Sequence, residues 1–218
     1  MRATRLLFAT LLLCAACAGR RQPQPDDVSG FLDDYRMLRP GGQGDVTLVY
    51  RDPDADWPSY GKVLFEPVTL WQSGRKSLDP VPETDLLRLI SDLENAVRRR
   101  LGEAFELVDH PEPGTMRIRL AITEARAADP VLDVLRGRSG GDAEAGDGPI
   151  HAETRRFIER AHIEGEIRDA STDRLLAAGD DRRPEGAASI ATWAEVDGAL
   201  DRWADRLCTR LEARTRRR

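Results

Sequence analysis

Aromatic residues are scarce in this chain, at 6% of its 218 residues. This argues against a platform for single-stranded nucleic acid, on which bases stack against exposed rings, and against a sugar-binding groove lined with such rings. Basic residues do not compensate, since 33 of them stand against 38 acidic ones, for a formal net charge of −5. That balance gives no general attraction for a phosphate backbone. We therefore expect no nucleic-acid partner.

Residues that carry catalysis or bind metal are also few. The three histidines, His110, His151 and His162, form no HxH or HxxxH spacing, so they do not indicate a zinc site. We expect His162 to face solvent, because it alternates with Ile163 on a predicted strand. A Gly-rich phosphate loop is absent from the sequence. We predict no catalytic, cofactor-binding or metal-binding residue and no cofactor.

One acidic stretch has the alternation that begins a calcium loop, with Asp52, Asp54 and Asp56 at every second position. An EF-hand also requires glycine at the sixth position and glutamate at the twelfth. Pro53 interrupts this stretch, and Leu64 stands near where the glutamate should be. The sequence therefore argues against a calcium site of this type.

The N-terminal segment has the order of a secretory signal peptide. Arg2 and Arg5 give a positive start, an apolar run follows from Leu6 to Leu13, and small residues precede Cys17. The run is too short for a permanent membrane helix, which needs about 20 residues. A buried N-terminal helix is the alternative, but such a helix would carry polar residues at helical period. We predict a signal peptide over residues 1–16.

The end of this segment resembles the bacterial lipobox, in which a small residue precedes a lipid-modified cysteine. Ala16 stands directly before Cys17, whereas Cys14 occupies the position three residues earlier, where leucine is usual. The resemblance implies lipid attachment at Cys17 and anchoring to the membrane through that covalent lipid. Ala18 after the cysteine implies sorting to the outer membrane, with the protein facing the periplasm.

Cysteine usage agrees with this processing. Removal of Cys14 with the leader and capping of Cys17 by lipid leave Cys208, which cannot form an internal disulfide alone. Cys208 lies in a segment of helical apolar periodicity, so we expect a small buried hydrophobic residue.

The remaining chain predicts a single α+β domain over residues 30–212, after a lipid-anchored flexible tether (17–29) and before a basic tail (213–218). Helical turns capped by Ser29 are expected near residues 30–40. A long helix that Gly102 ends is expected over 83–101, and another begins at the capping box of Thr192 and Glu195. Strands are expected at 46–50, 62–71 with a break at Pro67, 105–108, 116–122, 161–168 and 175–179, and a mobile loop at 137–148. We predict a two-layer sandwich, with an antiparallel or mixed sheet and the two long helices on one face.

Several segments together resemble one family. They are SGFLDDYRMLRP, YGKVLFEPVTLW, a long helix, MRIRLAITEA and AHIEGEIRDASTDRLLAAGDDRR, and they span Ser29 to Leu211. This succession looks like the uncharacterised bacterial lipoprotein family known as domain of unknown function 3313. The resemblance implies an envelope location and a fold, and no functional residue except Cys17.

Two functional hypotheses follow. The first is a non-catalytic envelope protein that binds another envelope protein or helps an assembly. The alternative is a periplasmic enzyme that acts on the cell wall or a small molecule, with a site assembled from distant residues; a ligand carrier is a third option. Convergent carboxylates or histidines in a pocket would favour the enzyme, and an exposed apolar patch would favour the binding module.

Overall fold

A computed structural model describes residues 28–71, 81–124, 150–182 and 190–216. The predicted signal peptide, Cys17, the tether up to residue 27 and the predicted loop at 137–148 lie outside the described residues. In the described part, no helix is both long and apolar enough to cross a membrane.

The described residues form one open mixed sheet of eight strands and three α-helices. The strands are β1 (Arg39–Pro40), β2 (Leu48–Arg51), β3 (Lys62–Phe65), β4 (Thr69–Trp71), β5 (Glu106–Leu107), β6 (Thr115–Glu124), β7 (Ala161–Asp169) and β8 (Leu175–Asp181). The helices are α1 (Glu83–Ala104), α2 (Ala152–Arg160) and α3 (Trp193–Thr215). The strand order is β1-β2-β8-β7-β6-β3-β5, and β4 also pairs with β6. The predicted α+β composition and mixed sheet are confirmed.

Strand β6 organises the sheet because it pairs with β7 antiparallel and with β3 and β4 parallel. Its alternation buries Met116, Ile118, Leu120 and Ile122 against the main core, as the period-two pattern predicts. The break at Pro67 separates β3 from β4, as expected.

The β7–β8 hairpin is held by the turn at residues 170–174. The Asp169 carboxylate accepts hydrogen bonds from the backbone amides of Ser171 and Thr172, at 2.9 and 2.7 Å. Asp173 adopts a left-handed φ of 61°, a conformation that Asp tolerates better than most residues.

Both long helices form where the apolar stripes predict them, and their ends need correction. Helix α1 continues through Gly102 to Ala104, because the chain turns at Phe105, whose buried side chain joins the core. The capping box of Thr192 and Glu195 is present at the start of α3. Helix α3 reaches Thr215, so the predicted basic tail begins as helix.

Two short helical elements differ from the sequence prediction. Helix α2 was missed, since its nine residues are mostly charged and bury only Thr154 and Phe157. Near the N-terminus a 3₁₀ helix spans Tyr35–Met37, and Asp34 caps it instead of Ser29.

The main core combines side chains of α1, α3 and the strands, and α1 packs against α3. A second, smaller cluster lies on the opposite face of the sheet, because Ala121 and Ala178 alternate with core residues on their strands. Residues 29–38, which we call the N-terminal strap, cover that face with Phe31, Leu32 and Leu38. The strap thereby buries polar residues of β7 and β8 that would otherwise face solvent.

Candidate functional site

A partly open cleft lies between α3 and the strands β2, β7 and β8. Its apolar part has a volume of about 100 Å³, and its polar end, of about 210 Å³, adjoins it through shared lining residues such as Trp203 and Leu207. Val49 and Trp57 line the apolar part. The cleft therefore has an apolar part that adjoins a polar end.

Arginines follow the α3 side of this cleft. Positions 202, 206, 210 and 214 are all arginine, and four-residue spacing places them along one edge of a helix. Arg210 and Arg214 line the apolar part, and Arg206 and Arg210 line the polar end. Burial lowers the pKa of both Arg210 and Arg214. This row makes the rim of the cleft cationic.

Two aspartates, Asp45 and Asp181, also line the polar end. Asp45 pairs with Arg51 and lies 3.9 Å from Arg210, while the guanidinium of Arg214 lies 6.0 Å from the ring centroid of Trp57. One carboxylate thus serves two of the three arginines that line the apolar part.

The three aspartates of α3 face the other long helix instead. Asp197, Asp201 and Asp205 pair with arginines of α1, namely Arg88, Arg99 and Arg100. Such surface pairs contribute about 0–1 kcal/mol each, so their main effect here is on the distribution of charge. Helix α3 is anionic toward α1 and cationic toward the cleft.

A polar cluster lies on the opposite face of the sheet, beneath the strap. His162 and Glu164 are two residues apart on β7, and Asp180 of β8 is the register partner of Glu164. All three are buried, at 6%, 1% and 0% exposure respectively. One ligand atom from each lies within 4.8 Å of the others. An imidazole and two carboxylates therefore converge away from solvent.

Hydrogen bonds tie Glu164 to the strap and to β6. Thr123 Oγ1 donates to Glu164 Oε1 at 2.9 Å, and the Tyr35 hydroxyl donates to Oε2. The same hydroxyl accepts from the backbone amides of Gly30 and Leu32 at 3.1 and 3.2 Å. Burial and the contact with Glu164 raise the pKa of Tyr35 to about 12. The strap is thus held at the cluster by a tyrosine that stays protonated.

Burial disfavours negative charge on Glu164 in this cluster. Burial raises the pKa of Glu164, and the nearby Asp180 carboxylate acts in the same direction. Arg182 Nε donates to Asp180 Oδ2 at 2.8 Å. The other oxygen, Oδ1, is buried and accepts no hydrogen bond from the described residues, although His162 Nδ1 lies 3.3 Å away. An unsatisfied buried acceptor costs about 1–3 kcal/mol, which marks this atom as a candidate ligand position.

The structure places the residues considered in the sequence as follows. His162 is buried under the strap, so the expectation of a solvent-facing side chain is wrong. His110 is exposed beside Glu112, and the three histidines are not brought together. His151 Nδ1 lies 2.9 Å from Asp85 Oδ2 and joins α2 to the first turn of α1.

The structure also describes two further residues that were considered in the sequence. Cys208 is fully buried, and burial raises the pKa of its thiol to about 12, as suits a small core residue. Asp52 is buried and accepts a hydrogen bond from Arg174 Nε at 2.6 Å. Cys17 lies outside the described residues.

Sequence reasoning missed both the cleft and the cluster, although each left a signal. The four-residue arginine repeat of α3 was readable, and so was the His162-x-Glu164 spacing, which puts both side chains on one face of a strand. Neither signal reveals Asp180 or the strap, since those contacts depend on the tertiary fold.

These features define a mixed α/β domain with an apolar cleft beside a cationic helix edge, and with a buried histidine–carboxylate cluster. The chain belongs to the family described as Protein of unknown function (DUF3313), whose model matches residues 27–207. This match confirms the resemblance to domain of unknown function 3313 that the sequence indicates. No curated protein and no solved structure matches the chain.

Proposed function

We propose that this protein is a lipid-anchored module of the bacterial envelope that binds a segment of another envelope protein in the cleft beside α3. The observation that carries the proposal is that the cleft combines an apolar part with a cationic rim. Such a site suits an apolar side chain with an acidic residue next to it.

The size of the apolar part favours a protein segment over a lipid as the ligand of the cleft. A cavity of about 150 Å³ holds one benzene molecule, so the apolar part, at about 100 Å³, has the size of one side chain. A long acyl chain needs more space than this. In protein interfaces, in contrast, a few side chains that fill pockets of this size contribute most of the binding energy.

The arginines of the rim supply orientation. Arg210 and Arg214 are partly desolvated, which weakens solvent screening and strengthens their attraction for a carboxylate. Because Asp45 neutralises only part of the positive charge of these arginines, an acidic residue of the partner would accept a charge-assisted hydrogen bond from them. We expect the partner segment to be acidic and apolar in alternation.

The test is site-specific photocrosslinking of the full chain in intact envelopes. A photoreactive residue replaces Leu207, which lines the cleft, and in a matched control it replaces Leu87, an exposed leucine of α1. We expect a protein adduct at position 207 that is lost when Arg214→Glu is added and kept with Arg36→Glu. A lipid adduct at position 207, or protein adducts only at position 87, would overturn the proposal.

Anchoring belongs to the same proposal and rests on the lipobox-like end of the leader. We propose lipid on Cys17, an outer-membrane location and a domain that faces the periplasm. A lipid tether would raise the effective concentration of the domain toward membrane partners. Cys17→Ser should abolish metabolic labelling with a palmitate analogue, whereas Cys14→Ser should not; undiminished labelling of Cys17→Ser would refute the anchor.

A periplasmic enzyme is the alternative, and the cluster of His162, Glu164 and Asp180 is the observation that favours it. Against it, the strap covers these side chains, and they do not line the cleft. Folded variants His110→Ala, His151→Ala, His162→Ala and Cys208→Ala should each rescue a deletion phenotype if the protein acts by binding. Failure of one folded variant with its partner still bound would favour the enzyme.

For the architecture, we propose the two-layer sandwich, with α1 and α3 forming one layer against the sheet. The support is that side chains of both helices and of β3, β6, β7 and β8 share one core cluster.

A further inference from the structure

We propose that His162, Glu164 and Asp180 bind one divalent transition-metal ion of the zinc type. The site lies on the opposite face of the sheet from the cleft and does not depend on the proposed partner binding.

The chemistry of the three side chains fits such an ion. One imidazole nitrogen and two carboxylate oxygens are a donor set that zinc uses in proteins. A ligand set of pure carboxylates would favour calcium or magnesium, and the imidazole shifts the preference to a transition metal.

The spacing is close to what coordination requires. Donors about 2.1 Å from a tetrahedral ion lie about 3.4 Å from one another. In the cluster, His162 Nδ1 and Asp180 Oδ1 are already 3.3 Å apart, and the set including Glu164 lies within 4.8 Å. Small side-chain rotations therefore suffice to close the site.

The unpartnered oxygen of Asp180 is the second, independent observation. This residue is fully buried, yet its Oδ1 receives no hydrogen bond from the described part of the chain. A cation bound between Oδ1 and the imidazole would satisfy that oxygen. Arg182 occupies only Oδ2, so the ligand position stays accessible to an ion.

Neighbouring hydrogen bonds hold the donors in place. Thr123 and Tyr35 each donate to one oxygen of Glu164, and each carboxylate oxygen keeps a second lone pair for a metal. Hydrogen bonds of this kind orient metal ligands and are a regular part of metal sites.

The test is calorimetric titration of the full chain, purified in detergent and stripped with EDTA, with zinc chloride. We expect one equivalent to bind with a rise in Tm. His162→Ala should weaken binding at least about a hundredfold, since loss of mere supporting hydrogen bonds already costs up to that factor. His110→Ala, at an exposed histidine, should bind as the wild type does.

Near-isosteric variants keep the test decisive if His162→Ala fails to fold. Asp180→Asn and Glu164→Gln, with folding checked by circular dichroism, should lose the visible absorption bands that cobalt(II) gives when bound to the wild type. The absence of saturable zinc binding in the wild type would overturn the proposal. Unchanged affinity in the folded His162, Glu164 and Asp180 variants would overturn it as well.

Discussion

Removal of the Tyr35 hydroxyl should destabilise the domain. In Tyr35→Phe the ring stays in the apolar cluster of the strap, but Glu164 loses a hydrogen-bond donor, and the amides of Gly30 and Leu32 lose their acceptor. A hydrogen bond to a charged group contributes about 1.5–3 kcal/mol and a neutral one about 0.5–1.5. Since Thr123 still serves Glu164 and water reaches the exposed Gly30 amide, we expect a loss of about 2–3 kcal/mol.

The assays are urea unfolding and thermal unfolding, each followed by circular dichroism. A loss of 2 kcal/mol corresponds to a Tm lower by about 4–8 °C for a domain of this size. Tyr50→Phe is the matched control, because Tyr50 packs in the same cluster and no hydrogen bond of its hydroxyl is found among the described residues; it should change stability by less than about 0.5 kcal/mol.

A double-mutant cycle isolates the contact. Tyr35→Phe and Glu164→Gln should couple by about 1 kcal/mol or more, as residues in one hydrogen-bond network do. Equal effects of Tyr35→Phe and Tyr50→Phe, or additive effects in the cycle, would show that the strap is not held through this hydroxyl.

Three further predictions concern other parts of the fold. Because burial raises the pKa of Cys208 to about 12, its thiol should react with DTNB only after unfolding in guanidinium, in a chain whose two N-terminal cysteines are serine; rapid reaction of the folded chain would contradict this. Burial opposes ionisation of Asp169, but hydrogen bonds from Tyr60 and the β7–β8 turn win and lower its pKa. The stabilisation that ionised Asp169 provides is therefore complete above its unfolded pKa of about 4 and is lost as the pH falls through the lower pKa of the folded state. The wild type should thus lose more stability than Asp169→Asn below about pH 5. Parallel profiles of stability against pH for the two proteins would refute this. A Cβ at Gly165 would lie 2.5 Å from a leucine methyl, so Gly165→Ala should cost about 1–3 kcal/mol, whereas Gly61→Ala, with open space around it, should cost much less by urea unfolding.

Local patterns predicted local structure well. The alternation in β6 and the capping box of Thr192 and Glu195 gave the right elements, because each signal is complete within a few residues. The end of α1 was misplaced for the opposite reason. Gly102 reads as a helix stop, but burial of Phe105 three residues later decides where the chain turns.

The candidate sites could not be predicted from the sequence, because they depend on contacts between residues that are far apart in the chain. His162 was expected in solvent since alternation gives the face of a strand and not what covers that face. The strap that covers it lies more than a hundred residues earlier in the chain. Asp180 meets Glu164 only through the register of β7 and β8. Long-range pairing therefore creates the chemistry that composition does not show.

The ends of the sheet also limit how another protein can attach. The strands at the two ends of the described order, β1 and β5, have two residues each, and β1 contains Pro40, which has no amide hydrogen to donate. At these two ends, an incoming strand would find too few free backbone groups to continue the ladder. The same brevity protects these two ends against edge-to-edge aggregation. Under the proposed binding mode, recognition relies on the side chains of the cleft, so single substitutions on α3 would change its specificity while the sheet stays intact.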